Sequence, residues 1–220
     1  VSGTKLFAET SGGVFLSTNS GSSWVKTGLT DPYVSSFAVS GTKIFAGSSG
    51  GVFLSTNNGS SWTAVNAGLT STSVSSLAVS GTNLFATVSA SELQISSDGI
   101  AEMLAKPGGG VYLSTNNGTS WTTVNSGLTN TNVSAFTVSG TDLFAGTGGG
   151  VFLSTNNGTS WTAVNSGLTD TLIWHLAVSG NYLFAGTAFG GTFCDRGDVW
   201  RRPLSELRNT STLKKQAKPR

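Results

Sequence analysis

The stretch Leu153-Ser154-Thr155-Asn156-Asn157-Gly158-Thr159-Ser160-Trp161 decides the fold, because close copies of it recur along the chain. The three other copies end at Trp24, Trp62 and Trp121. A second phrase, Val-Ser-Gly followed by Thr or Asn, recurs at spacings of 38, 40, 59 and 40 residues and begins at Val1, Val39, Val79, Val138 and Val178. The repeating unit is therefore about 39 residues long, with roughly 20 extra residues in one copy, and such a period indicates a repeat architecture.

The sequence of one repeat predicts four short strands. In the cleanest copy, apolar residues alternate with small or hydroxyl-bearing ones, as in Val133-Ser134-Ala135-Phe136-Thr137-Val138, which is the period-two pattern of a strand. Glycines and an Asn-Gly pair separate the runs, where tight turns need positive φ. The predicted strands are residues 133–139, 143–147, 151–155 and 160–165. Four strands in about 40 residues are typical of one blade of a β-propeller.

Composition supports an all-β chain. Ser, Thr, Asn and Gly make up 109 of the 220 residues, whereas charged residues make up only 10%. Helices cover their solvent face with Lys, Glu and Arg, so a helical bundle or a coiled coil is excluded. No stretch approaches the roughly 18 apolar residues of a transmembrane helix. Six phenylalanines at equivalent or facing strand positions are expected in the core: Phe53, Phe85, Phe136, Phe144, Phe152 and Phe184.

The repeats predict a β-propeller of about five four-stranded blades that is incomplete or truncated. The propeller domain is residues 1–207, with an insertion at 88–107 and a basic, disordered tail at 208–220; its repeats lie near 1–38, 39–78, 79–137, 138–177 and 178–207. The first repeat lacks its opening strand and the last lacks its fourth, which leaves eighteen strands. We interpret the chain as a processed or truncated piece of a longer protein, and we expect edge-to-edge self-association.

Residues 154–161 resemble the Asp-box, or BNR, repeat, which has the pattern Ser-x-Asp-x-Gly-x-x-Trp and joins the third and fourth strands of a propeller blade. The resemblance implies structural roles: Ser and Asn side chains bond to loop amides, Gly takes a left-handed conformation, and Trp packs into the blade. Asn stands at every Asp position, so the loop keeps an acceptor but loses a negative charge. The matching residues are Ser17, Asn19, Gly21, Trp24, Ser55, Asn57, Gly59, Trp62, Ser114, Asn116, Gly118, Trp121, Ser154, Asn156, Gly158 and Trp161.

Proteins with Asp-box propellers include sialidases, xyloglucanase-type glycosidases, sortilin-like receptors and the photosystem II stability/assembly factor. The chain looks most like the last group, in its secreted bacterial forms. This resemblance implies a secreted or cell-surface location, although the chain itself contains no signal peptide. Sialidase activity would need three arginines from separate blades to bind a carboxylate. The chain has no arginine before Arg196, so the resemblance extends to a sialidase-like fold without the sialidase residues.

The acidic residues give little support to other glycosidases, which need two carboxylates about 5–9.5 Å apart. Asp31 and Asp170 occupy one repeat position, which Asn130 and Ser71 fill elsewhere, so a solvated turn is expected there. Residues 96–99 could be a degenerate Asp-box or a cation-binding loop, but their spacing matches no EF-hand. We expect the insertion to be solvated, although three of its acids form the one unusual group: Glu92, Asp98 and Glu102.

No catalytic, cofactor-binding or metal-binding residue is predicted. His175 is the only histidine, which excludes a two-histidine metal site, and its place in a predicted strand indicates a structural role. Cys194 is the only cysteine, so no intramolecular disulfide can form. Residues 146–150 form a glycine-rich run that leads into a strand and lacks the lysine of a phosphate-binding loop, so a hairpin is expected.

Charge and repeat uniformity complete the functional prediction. Residues 195–220 carry all five arginines and a net charge of +5, but no aromatic residue follows Trp200, so we expect no nucleic-acid binding and no membrane span. Residues 114–128 and 154–168 differ at one position, and such uniformity suits a scaffold or a multivalent binder. We therefore predict a non-catalytic secreted or cell-surface scaffold for an unknown protein or glycan. The alternatives are a glycan-binding module of a larger secreted protein and a glycoside hydrolase-like fragment.

Overall fold

The computed structural model describes residues 5–10, 13–31, 33–89, 91–95, 101–105, 109–187 and 198–208, and of 91–95 and 101–105 it describes the backbone alone. The chain divides into two compact units, Val1–Thr123 and Val124–Arg220. Antiparallel sheets make up both units, and their order follows the repeats. Predicted positions that fall outside the described residues include Asp98 and Cys194, as does the basic tail beyond Arg208.

The first unit contains three sheets and one hairpin. The first sheet is three-stranded, the second and third sheets are four-stranded, and β10 pairs with β11 alone. The strands are β1 Leu6–Thr10, β2 Gly13–Ser17, β3 Val25–Lys26, β4 Val34–Ser40, β5 Lys43–Ser48, β6 Gly51–Ser55, β7 Thr63–Ala64, β8 Val74–Ser80, β9 Asn83–Val88, β10 Ser91–Ile95, β11 Ala101–Ala105, β12 Gly110–Ser114 and β13 Thr122–Thr123. The hairpin β10–β11 lies in the insertion, for which the sequence predicted no strands.

The second unit contains the fourth sheet, with four strands, and the fifth sheet, with three. The elements are β14 Val133–Ser139, β15 Asp142–Thr147, β16 Gly150–Ser154, β17 Thr162–Ala163, β18 Ile173–Ser179, β19 Tyr182–Thr187, β20 Val199–Pro203 and the one-turn helix α1 Leu204–Leu207. The three-stranded first and fifth sheets and the four-stranded sheets between them confirm the predicted distribution of strands among the repeats. The fourth strand is shorter than predicted: β17 has two residues.

The first strand of a sheet packs beside the first strand of the next sheet within a unit, β4 beside β8 and β14 beside β18. Ser35 on β4 donates its hydroxyl to the Val74 carbonyl oxygen at 2.6 Å. Ser134 on β14 makes the equivalent bond to Ile173. Small hydroxyl side chains in the Val-Ser repeat therefore join consecutive sheets, which explains part of the serine content.

The cores lie within the sheets and between consecutive ones. Of the six phenylalanines predicted for the core, Phe85, Phe144 and Phe152 are buried, and the other three are half-buried. In the second unit, Leu204 and Leu207 of α1 pack into the same cluster as Phe144. The C-terminal segment of the described chain therefore belongs to the packed structure of the fifth sheet up to Arg208.

Candidate functional site

The loop between the third and fourth strands repeats one hydrogen-bond network. We call residues 17–24, 55–62, 114–121 and 154–161 the Asn loops. In the last of them, Ser154 Oγ accepts from the amide N–H of Gly158 at 2.9 Å and donates to Asn156 Oδ1 at 2.9 Å. Asn156 Oδ1 also accepts from the Ser160 amide at 2.9 Å. The same bonds recur in the other three loops.

The structure gives asparagine a role that the sequence analysis missed. Asn156 Nδ2 donates to Ser160 Oγ at 2.9 Å, and the equivalent bond forms in every Asn loop. A serine stands at this acceptor position in all four copies. The residue after this asparagine takes positive φ, between 55° and 58°, in all four loops, at Ser20, Asn58, Asn117 and Asn157. The polar atoms of the loops are thus used to fold the loops themselves.

The tryptophan of an Asn loop contacts the linker that leaves the preceding sheet. Trp121 is 4% exposed, its indole Nε1 donates to the Val65 carbonyl oxygen at 2.7 Å, and its amide donates to Ala67 at 2.9 Å. Trp161 makes the same two bonds to Val124 and Ser126, at 2.7 and 2.8 Å. The indole therefore fastens one repeat to the one before it, in addition to packing within its own blade.

The junction between the first and second sheets departs from this pattern. The linker after β3 reads Thr27-Gly28-Leu29, two residues shorter than the linker after β7, Val65-Asn66-Ala67-Gly68-Leu69. Trp62 is half-buried, and its Nε1 donates within its own loop to the Gly59 carbonyl oxygen at 3.0 Å. At this junction the Gly28 amide donates to the Gly59 carbonyl oxygen at 2.8 Å.

A cleft of about 200 Å³ lies at this first junction. Its lining combines apolar residues with residues that carry hydroxyl and amide groups. The Lys5 ammonium donates to Asn58 Oδ1 at the rim, at 3.1 Å. The lining residues are Leu16, Thr18, Ser23, Val25, Lys26, Thr27, Asn58, Gly59 and Ser60.

In the fifth sheet, an arginine side chain makes the hydrogen bond to the preceding linker that the Trp121 backbone amide makes in the third sheet. Arg202 Nη1 donates at 3.0 Å to the Ser166 carbonyl oxygen, which occupies the linker position of Ala67. Arg202 also pairs with Glu206 at 2.9 Å. Arg208, the first residue of the predicted tail, pairs with the buried carboxylate of Asp142. The guanidinium group of Arg201 lies 4.8 Å from the centre of the Tyr182 ring. Arg201, Arg202 and Arg208 therefore all have contacts within the folded structure.

The described carboxylates hold turns and strands. Asp31 was predicted in a solvated turn; it is half-buried instead, and it accepts from Tyr33 N, Ser48 Oγ and Gly50 N at 3.0–3.1 Å. Asp170 accepts from the Leu172 amide at 2.9 Å, and Glu9 accepts from the Val34 amide at 3.2 Å. The side chains of Glu92 and Glu102 lie outside the described part of the chain. Within that part, no three His, Cys, Asp or Glu side chains come together where they could hold a metal ion.

His175 lies on a strand, as the sequence predicted, but it is exposed there. It lies on β18 beside Trp174, which is 54% exposed. Trp174 occupies the position of Ser35 and Ser134, the serines that join consecutive sheets. At this strand position, the fifth sheet therefore carries a large apolar side chain where the second and fourth sheets carry a serine.

Comparisons with known proteins identify the fold. No protein-family model and no curated protein matches the chain. An ancestral GH74 enzyme matches with a TM-score of 0.67 and 25% identity, over 92% of this chain and 28% of that one. The GH74 xyloglucanase from Xanthomonas campestris matches with a TM-score of 0.63 and 17% identity, over 93% and 35%. The computationally designed Ika4 protein matches with a TM-score of 0.51 and 12% identity, over 79% and 92%.

These matches, together with the repeated antiparallel sheets, confirm the predicted all-β, β-propeller fold. The chain spans about a third or less of the length of the two GH74 proteins, at 28% and 35%. As for membranes, none of the described helices has the length and apolar character needed to span one.

Proposed function

We propose that the chain is a non-catalytic β-propeller module with loops of the Asp-box type, which serves outside the cell or at its surface as a scaffold for interactions. The observation that carries the proposal is the use of the polar groups. In the Asn loops the Ser and Asn side chains bond to one another and to loop amides. The carboxylates of Asp31, Asp142 and Asp170 have partners in turns or in an ion pair.

This arrangement supports a scaffold over a glycosidase. A glycosidase needs two carboxylates that face one scissile bond, about 5–9.5 Å apart, one of them as an acid and the other as a base or nucleophile. Four of the described carboxylates are instead engaged within the fold: Glu9, Asp31 and Asp170 accept from backbone amides, and Asp142 pairs with Arg208. Hydroxyl- and amide-rich surfaces on a rigid sheet are suited to binding, because they can form many weak contacts without chemistry.

A glycan is the second candidate for the bound partner. The match to an ancestral GH74 enzyme over 92% of this chain favours it. Trp24 adds a structural reason, since its indole is 42% exposed, whereas Trp121 and Trp161 are 4% exposed. Exposed tryptophan gives a flat apolar surface with a polar edge, which suits the C–H face of a sugar ring.

The test is a binding and activity screen of the whole chain. Fluorescently labelled protein is applied to an array of plant, bacterial and animal glycans, and released reducing ends are measured on xyloglucan and related polysaccharides. We expect selective binding or none, and no hydrolysis above buffer. Hydrolysis that disappears in the triple variant E92A/D98A/E102A would overturn the scaffold proposal and would favour the hydrolase alternative.

A further inference from the structure

Three Asn-Gly pairs occur in the chain, and each lies at the same place in one of the Asn loops. An asparagine followed by glycine is prone to deamidation, because glycine has no side chain that would hinder attack of its amide nitrogen on the asparagine side chain. The first Asn loop has serine at this place. The local sequences of the three pairs are nearly the same, so differences between them must come from the fold. The pairs are Asn58-Gly59, Asn117-Gly118 and Asn157-Gly158.

The folded loops hold the attacking nitrogen. The amide N–H of Gly59 donates to Ser55 Oγ at 2.8 Å, and the amides of Gly118 and Gly158 make the same bond at 2.8 and 2.9 Å. All three glycines are buried. A nitrogen held in this way cannot reach the asparagine side chain, so deamidation in the folded protein requires a local opening of the loop. Such openings cost less free energy than global unfolding, and their cost differs from region to region.

The three loops differ in how the preceding linker holds them. Trp121 fastens its loop to the linker through its indole and its amide, and Trp161 does the same in the next sheet. Trp62 is half-buried and bonds within its own loop, and the first linker contributes the Gly28 amide, which donates to that loop. We therefore expect the loop of Trp62 to open at a lower free energy than the other two.

A lysine contacts the reacting group at one of the three pairs. The exposed Asn58 side chain accepts a hydrogen bond from the Lys5 ammonium at its Oδ1 atom, at 3.1 Å. This oxygen takes up the negative charge of the tetrahedral intermediate when a nitrogen attacks Cγ. A hydrogen-bond donor at an oxygen that becomes negative stabilises the intermediate. Lys43 occupies the same repeat position as Lys5, but among the described residues no hydrogen bond joins it to Asn117.

We propose that Asn58 is the site at which the folded chain deamidates, with Lys5 stabilising the intermediate, while Asn117 and Asn157 are protected. When the loop opens, the Gly59 nitrogen gives up its proton and bonds to Asn58 Cγ. The Cγ–Nδ2 bond breaks, and ammonia leaves with that proton, which produces a cyclic imide. Water then hydrolyses the imide at either carbonyl carbon and leaves aspartate or isoaspartate at position 58.

The products change the first junction alone. Each of them places a carboxylate beside the Lys5 ammonium at the rim of the cleft, so an ion pair replaces the hydrogen bond to a neutral amide. Isoaspartate also adds one carbon to the backbone at a residue whose φ of +56° shapes the turn. The modification therefore alters charge and loop shape at one junction and leaves the other Asn loops as they are.

The test is a measurement of deamidation at each Asn-Gly pair in the whole folded chain at mildly alkaline pH. Water enriched in heavy oxygen labels the carboxylate that forms, so peptide mass spectrometry separates this reaction from deamidation during digestion. We expect Asn58 to react about fivefold or more faster than Asn117 and Asn157, because one hydrogen bond fewer from the linker holds its loop. In urea the three pairs should react at equal rates, since only the fold distinguishes them.

Three variants separate the effect of the lysine from that of loop opening. K5M should slow the reaction at Asn58 about two- to threefold, because the contact is exposed and screened by solvent. K43M, the matched control at the same repeat position, should leave that rate unchanged. W121A releases the next Asn loop and should raise the rate at Asn117 toward that at Asn58. Asn157, which lies in the other compact unit, serves as the reference, because loss of the whole fold would raise its rate as well.

Amide hydrogen exchange of the unmodified chain reports loop opening without any variant. The Gly59 amide should exchange faster than the amides of Gly118 and Gly158. Equal exchange at the three glycines, equal deamidation of the three pairs in the folded chain, or faster reaction at Asn117 or Asn157 would each overturn the inference. Equal effects of K5M and K43M on the rate at Asn58 would do the same, because the lysine contact would then have no part in the reaction.

Discussion

The two junctions of the first unit are built from nearly the same sequence and yet fit together differently. At the second junction, Trp121 is buried and bonds through both its indole and its amide to the linker after β7. At the first junction, Trp62 is half-buried and bonds to Gly59 of its own loop. The loops themselves carry the same hydrogen bonds.

The difference lies in the linker and not in the loop. The second linker offers the carbonyl groups of Val65 and Ala67 to the tryptophan, and its Gly68 takes a φ of +94° where an added Cβ would lie 2.3 Å from the Trp121 carbonyl oxygen. The first linker lacks the two residues that correspond to Asn66 and Ala67. A repeat protein can therefore change one junction by changing a few linker residues while its blades stay the same.

The largest expected effect comes from Trp121→Ala. Removal of a buried tryptophan leaves a large cavity, which costs about 3–5 kcal/mol, and it also removes the donor to Val65. Urea unfolding followed by circular dichroism should show this loss of free energy. The matched variant Trp62→Ala should lower the free energy of unfolding by less, because its indole is half-buried. Trp24→Ala should lower it least, because its indole is exposed. Equal losses at Trp62 and Trp121 would mean that the two junctions are energetically alike.

The sequence predicted the blades well because the repeat carries both strand alternation and turn chemistry. The bounds of β14 agree with the predicted strand, and residues 146–150 do form a hairpin between β15 and β16. The fourth strand was predicted too long, because residues after β17 leave the ladder to form the linker, where Asn165 bonds back to the Val151 amide at 2.7 Å. Side-chain bonds of this kind compete with strand pairing and are hard to read from alternation.

The junctions could not be predicted in the same way. Within one repeat, Trp121 and Trp62 look equivalent, since each follows Ser-Ser or Thr-Ser in the same phrase. Only the length of the preceding linker distinguishes them. Two missing linker residues predict that the junctions differ, but they do not predict where the tryptophan side chain will lie or what it will bond to. The exposure of His175 was missed for a related reason: strand alternation assigns a face, but whether another sheet covers that face depends on the neighbouring repeat.

Ser114→Ala should have the next largest effect. Ser114 Oγ is the acceptor for the buried Gly118 amide at 2.8 Å, and an unsatisfied buried donor costs about 1–3 kcal/mol. In the first sheet, Ser17→Ala removes the same bond to Gly21, but that amide is only partly buried and can bind water instead. We therefore expect a smaller loss for Ser17→Ala in urea unfolding. Identical losses would contradict the view that the Asn loop of the first sheet is less enclosed.

Arg202→Met tests the arginine that replaces the tryptophan amide at the junction of the fourth and fifth sheets. The variant keeps the apolar stem and removes the bond to the Ser166 carbonyl oxygen, which we expect to cost about 1 kcal/mol, since the side chain of Arg202 is 25% exposed. The control Glu206→Gln removes only the ion pair on the more exposed side and should cost less than about 0.5 kcal/mol. Thermal unfolding of the two variants would separate these contributions. A larger effect of Glu206→Gln than of Arg202→Met would mean that the ion pair, and not the bond to Ser166, stabilises this junction.

Asn116→Asp and Asn57→Asp should have the smallest effects on the free energy of unfolding. They test directly whether the loops contribute to the difference between the two junctions. Asn116 Nδ2 donates to Ser120 Oγ, but a carboxylate at this position can accept from the same hydroxyl, so the loop exchanges one hydrogen bond for another. We expect a change within about 0.5 kcal/mol at each site, equal at the two junctions, in urea unfolding at neutral pH. Asn116→Leu, which removes every bond of the side chain, is the destabilised control. A carboxylate that disturbed one junction and not the other would show that the loops, and not the linkers alone, make the junctions differ.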